Sequence, residues 1–341
     1  MSTRLRTASL FFDLPKFFIQ LRCAVVAFGG SMLLAALSLT APSVMAQISN
    51  PENAQHFAHD AGASLDVKEI SVQNRDGVAI HDITYADPHG GVVPAYLVVP
   101  EGKGKFAAIV WGHWLMPNSS TANRSEFLQE AVALAPAGAI SLLIDAPQAR
   151  PGSKPTPNSV LITQQVVDLQ RGADLLLARP DIDPKRVAYV GHSWDAGTGA
   201  ILDAVDKRFA AFVFMSGPQS TRQYVLLSDS PRMVAARKGA DMAKIEQVLQ
   251  ANSWADPATY ASQLGPAPAL FQYGLHDEEW VPLADAKDYF AMSSGPKQVK
   301  FYDSDHSLNA QARVDRYNFL REKLALRAVP PSSLATIPAI K

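Results

Sequence analysis

The chain has 341 residues, 48% apolar and 18% charged, and its 31 Lys+Arg against 32 Asp+Glu give a formal net charge of −1. This is the composition of a globular protein, and the lack of any basic stripe excludes the clustered cations that nucleic-acid phosphates require. The single cysteine, Cys23, excludes a disulfide framework, and beyond residue 23 it leaves no thiol for a nucleophile or a thiolate metal site.

The chain opens with basic residues Arg4, Arg6, Lys16 and Arg22, followed by an apolar run over 24–41 and then Val44-Met45-Ala46. Small or apolar residues at the third and first positions before Gln47 predict a signal peptide over 1–46, cut near Ala46-Gln47. The mature protein is then expected to be exported, periplasmic or secreted, with no stable membrane association. Residues 47–66 form a polar N-terminal extension.

Over 67–100, alternating stretches are separated by Asn74-Arg75-Asp76-Gly77 and Pro88-His89-Gly90-Gly91, turn signals that predict antiparallel strands. Short apolar runs then follow at 107–112, 139–146, 187–192, 211–217, 269–274 and 298–303. Unbroken apolar runs suit strands covered on both faces of a parallel sheet. The helical stretches between them, 125–137, 159–177 and 198–204, serve as crossovers, so the domain reads as doubly wound α/β. The interval 218–267 is too long for one crossover and predicts a helical, cap-like insertion at the ligand-binding edge of the sheet. The Pro- and Ser-containing tail over 328–341 is expected to be flexible.

Gly191-His192-Ser193-Trp194-Asp195 lies between an apolar run and a helix start, the strand–turn–helix context of a nucleophile elbow. Gly62-Ala63-Ser64-Leu65-Asp66 repeats the spacing without a suitable strand before it. A serine needs a base to take its proton. His306, on the loop after the last apolar run, is the candidate, because His56, His59, His81, His89, His192 and His276 all have simpler structural readings, while His113 falls near the site. Asp277, just past the 269–274 run, is the candidate acid to orient the imidazole, with Glu278, Glu279, Asp303 and Asp305 as neighbouring competitors.

Residues 67–327 resemble the α/β-hydrolase superfamily, and within it the dienelactone-hydrolase-like and prolyl-oligopeptidase-like esterases. The resemblance rests on DLQRGADLLLARPDIDPKRVAYVGHS into the elbow, FQYGLHDEEWVP around the acid and KQVKFYDSDHSL around the histidine, in the order Ser, acid, His. It implies an α/β-hydrolase fold with a mostly parallel central sheet of about eight strands, flanking helices and a small helical insertion. It also implies hydrolysis of a small-molecule ester, thioester or amide through an acyl-enzyme, without a metal or other cofactor. Oxyanion donors are then expected at the Trp194 and Leu115 amides, with Trp114 N–H as the alternative to Leu115.

Trp114, Trp194 and Trp280 fall on loops at one sheet edge and are expected to line an apolar acyl pocket. Asp145, at the end of its strand, reads as a loop anchor. Two positions depart from the family pattern. Asp195 stands where relatives carry Gly or Ala, a position kept small by the close packing of helix on strand, so its carboxylate is expected either to strain the turn or to sit beside Ser193, and Asp195→Gly is expected to preserve folding and raise activity. Gly112-His113-Trp114-Leu115 replaces the usual His-Gly before the second oxyanion donor. Besides an esterase, the sequence leaves room for a peptidase or acyl-peptide hydrolase of the same fold and for a non-catalytic binding protein.

Overall fold

The computed structural model describes residues 51–340, so the expected signal peptide and its cleavage point lie outside the described residues. The strands are β1 (Lys68–Arg75), β2 (Val78–Asp87), β3 (Gly91–Pro100), β4 (Phe106–Gly112), β5 (Ala139–Ile144), β6 (Ile182–His192), β7 (Ala211–Met215), β8 (Ala269–Gly274) and β9 (Lys297–Tyr302). They form one nine-stranded sheet in the order β1-β2-β3-β5-β4-β6-β7-β8-β9. The β1–β2–β3–β5 pairings are antiparallel and all the others are parallel. The β1–β2 turn has Asp76 and Gly77 at φ 52° and 77°, the left-handed pair a tight hairpin needs.

Strands β4, β5, β7 and β8 are buried at every position, as their unbroken apolar runs predict. Helices cover both faces. Helix α1 (Leu128–Leu134) and α5 (Ala310–Leu324) contribute to the core on one face, and α2 (Asn158–Leu177), α3 (Trp194–Val205) and α4 (Leu283–Met292) to the core on the other. Arg316 on α5 forks onto both oxygens of Glu130 on α1 at 2.9 and 2.7 Å and reaches Gln272 on β8 at 2.9 Å. The two helices are thereby joined through a buried, bidentate pair in which each guanidinium nitrogen has an acceptor.

The tail over 328–340 is held more firmly than its composition suggests. Val329 and Leu334 are buried in the core, and the Arg313 guanidinium bonds the carbonyls of Leu334, Ile337 and Pro338. Its apolar side chains complete a core face, which outweighs its Pro and Ser content. Among the described residues no helix is long and apolar enough to cross a membrane.

Candidate active site

Parallel strands send their C-terminal loops to one edge, and there the chemistry-bearing residues meet. Between β6 and α3, Ser193 adopts φ 57° and ψ −116°, and its N–H is pinned to the Met215 carbonyl of β7 at 2.7 Å. A non-glycine residue at positive φ is strained, and here the sharp turn presents the hydroxyl above the start of α3. His306 Nε2 lies 2.7 Å from Ser193 Oγ, and its Nδ1 lies 2.5 Å from Asp277 Oδ2. The second oxygen of Asp277 accepts the Trp280 N–H at 3.1 Å, which fixes the carboxylate plane.

The loops bearing Asp277 and His306 approach closely because β8 ends in Gly274. A Cβ there would stand 2.6 Å from the Ser304 carbonyl oxygen and press on that of Asp305. Two of the competing carboxylates are engaged elsewhere: Asp303 with exposed His276 at 2.6 Å, and Asp305 with the Ser307 N–H at 2.9 Å.

The loop after β4 is held one peptide at a time. Trp114 N–H donates to Glu126 Oε2 at 2.6 Å, which removes it as the alternative oxyanion donor. The Trp114 carbonyl accepts from His113 Nδ1 at 2.6 Å, and a planar trans peptide directs the Leu115 N–H to the opposite side. His113 Nε2 in turn accepts the Ala146 N–H at 2.9 Å, so the ring is the neutral Nδ1–H tautomer. Burial agrees, pushing the His113 pKa down to about 4. Among the described residues neither the Leu115 nor the Trp194 N–H has an acceptor.

Asp195 does not add a charge beside the nucleophile. Its fully buried carboxylate is turned into the interior, where it accepts from Gln165 Nε2 at 2.9 and 3.0 Å and from Thr198 Oγ1 at 2.7 Å. The space comes from Gly112 across the sheet, where a Cβ would stand 2.6 Å from Asp195 Oδ2. The smallness expected at the elbow has moved to its neighbour. Burial pushes the Asp195 pKa up to about 7 against the hydrogen bonds of Thr198 and Gln165, with the Glu126 charge adding and the His113 N–H opposing.

The three tryptophans separate. Trp114, expected in the pocket wall, is 1% exposed, stacks on His192 at 5.1 Å and gives its indole N–H to Thr121. Trp194 is half-buried against the core and bonds Asn158 Oδ1 at 3.1 Å. Trp280 lines a cleft of about 340 Å³ together with Met116, Pro231, Glu279 and His306. The 218–267 insertion builds one side of this cleft: Arg232 covers the Trp280 ring at 4.5 Å, and Tyr224 and Ser230 hold the Glu279 carbonyl at 2.6 and 2.7 Å. Asp145 anchors its loop by accepting the Arg124 N–H at 2.7 Å.

Sequence reasoning missed Glu126 and gave His192 a passive place in the elbow. Both are buried beneath the site, His192 Nδ1 lying 2.5 Å from Glu126 Oε1 and its Nε2 3.0 Å from the His306 carbonyl oxygen.

No protein-family profile and no curated protein sequence matches the chain. Solved structures do. An acetyl xylan esterase from Paenibacillus sp. R4 superposes with a TM-score of 0.66 at 20% identity, over 80% of this chain and 93% of that one. Acetyl xylan esterase 1 from Thermoanaerobacterium sp. JW/SL YS485 gives 0.60 at 16% identity, over 80% and 91%. A 2,6-dihydroxy-pseudo-oxynicotine hydrolase gives 0.53 at 18% identity, over 70% and 67%. This chain has the α/β-hydrolase fold.

Proposed function

We propose that the protein is a serine hydrolase that cleaves small carboxylic esters through an acyl-enzyme. The observation that carries this reading is the unbroken relay from Ser193 Oγ through both nitrogens of His306 to Asp277. The esterases among its structural relatives support an ester as substrate, and the cleft of about 340 Å³ suits a small or medium one.

Ser193 Oγ attacks the acyl carbon as its proton passes to His306 Nε2, and Asp277 stabilises the imidazolium. The negative charge that develops on the carbonyl oxygen is met by the Trp194 and Leu115 N–H groups, the former at the positive end of α3. His306 then protonates the departing alcohol. In the second half it takes a proton from water as the water oxygen attacks the acyl carbon, and it returns that proton to Ser193 Oγ as the Oγ–acyl bond breaks and the acid departs. The N-terminal leader read from the sequence would place this reaction outside the cytoplasm.

Turnover of p-nitrophenyl acetate by the protein, absent from Ser193→Ala, tests the reading. Faster hydrolysis of aminoacyl anilides than of esters would replace it with a peptidase.

A further inference from the structure

We propose that Glu126 and His192 form a positioning pair that ties the oxyanion loop to the backbone of His306 and so sets the turnover rate at Ser193. The inference rests on the serine-hydrolase reading and concerns residues that touch neither substrate nor Ser193 Oγ.

Both side chains are fully buried. Glu126 Oε2 accepts the Trp114 N–H at 2.6 Å and its Oε1 faces His192 Nδ1 at 2.5 Å. His192 Nε2 meets the His306 carbonyl oxygen at 3.0 Å, and Ser216 Oγ donates to the same oxygen at 2.6 Å. A carbonyl only accepts, so His192 Nε2 carries a hydrogen. The Glu126–His192 link then holds one further proton, on Nδ1 or on Oε1, and with it all four heteroatoms of the pair are used. A buried network satisfied throughout is rigid, whereas one with a missing member leaves costly orphans.

The chain of bonds runs from the loop that presents the Leu115 N–H to the residue that serves as base. The His192 ring is also stacked against both loops, on Trp114 at 5.1 Å and 16° and on His306 at 5.4 Å and 27°. Nothing else in this network is placed to move a proton to the substrate. Its effect is on geometry, and a misplacement of about 1 Å at a reacting group costs on the order of 100-fold in rate.

Glu126→Gln separates geometry from charge. The substituted amide oxygen can accept the Trp114 N–H while its NH₂ donates to Nδ1 of a neutral, Nε2-protonated His192. Glu126→Ala removes both bonds. The test measures kcat and KM on p-nitrophenyl acetate, the rate of fluorophosphonate labelling and the melting temperature for the whole protein and these variants.

For Glu126→Ala the expected result is a kcat about 10–100-fold lower, a KM within about threefold and equally slowed labelling, with Glu126→Gln returning kcat to within about fivefold of the parent. A folded Glu126→Ala with parental kcat, a loss confined to KM, or a glutamine no better than alanine would overturn the proposal. Should Glu126→Ala fail to fold, Ser216→Ala removes a hydroxyl from the same carbonyl and is expected to lower kcat about 3–10-fold at unchanged KM; unchanged kcat would count against the pair. Nitrogen-15 histidine spectra of the parent protein provide a readout independent of folding variants: a protonated His192 Nε2 supports the pair and a bare one overturns it. Parent protein that takes no fluorophosphonate would defeat the serine-hydrolase reading itself. A labelled parent with an equally reactive Glu126→Ala would defeat only the positioning pair.

Discussion

Two histidine–carboxylate pairs stand side by side at the edge of the sheet that carries the candidate site, and they differ in what the second nitrogen faces. His306 and His192 both have Nδ1 at 2.5 Å from a carboxylate oxygen, and their rings lie 5.4 Å apart. His306 Nε2 faces the Ser193 hydroxyl, which can give up a proton and take it back. His192 Nε2 faces a peptide carbonyl, which cannot. On the proposed mechanism the same chemical unit is a proton carrier in one place and a strut in the other, and the partner decides which.

Substitutions that treat the two pairs alike can break this distinction. The largest effect is expected for Ser193→Ala and His306→Gln, each lowering kcat by about 10⁶-fold, with the double variant no worse because the residues act as a unit. Next, Asp277→Asn is expected to cost about 10⁴-fold, through loss of the tautomer that leaves Nε2 free to accept. His192→Gln removes the strut and is expected to cost only about 10–100-fold, all of it in kcat. Steady-state kinetics on the four purified variants checks the ranking. A His192→Gln loss as large as that of His306→Gln would mean that both histidines handle the reacting proton.

The smallest expected effect is on stability. Burial raises the Asp195 pKa to about 7, so the folded protein holds that proton more tightly than the unfolded chain. Its contribution to stability is complete below the ordinary 3.8 and is lost as pH rises through about 7. Asp195→Asn removes that loss, and its melting temperature is expected to fall less than the parent's between pH 4 and pH 7. Buried His113, depressed to about 4, has the opposite sign, costing stability as pH falls from 6.5, but it is common to both proteins and drops out of the difference. Parallel melting curves would show that the Asp195 carboxyl is not ionising in this range. Asp195→Gly is expected to lower the melting temperature by several degrees, since it strands the buried Gln165 amide and leaves the Thr198 hydroxyl only the residue-195 carbonyl as acceptor.

What the sequence made legible was local. Ser193 stands out because strand, turn and helix are contiguous around it, and Asp277 and His306 because each follows an apolar run that becomes a parallel strand. Glu126 and His192 carry no such mark. They are 66 residues apart, and His192 lies 114 residues from the carbonyl it holds, so their pairing exists only once β4, β6 and β9 have been assembled. The misjudged orientation of Asp195 has the same origin, since the room for its side chain is made by Gly112 on another strand. Trp114 shares a sheet edge with Trp280, but it is buried, stacked on His192, and does not line the cleft.

The most direct test of the account is to react the protein with a fluorophosphonate and map the adduct by mass spectrometry. One modified residue, Ser193, is expected, and no modification when His306 is replaced by Gln. Folded protein that takes up no probe, or that is labelled equally at Ser64 or Ser216, would contradict it.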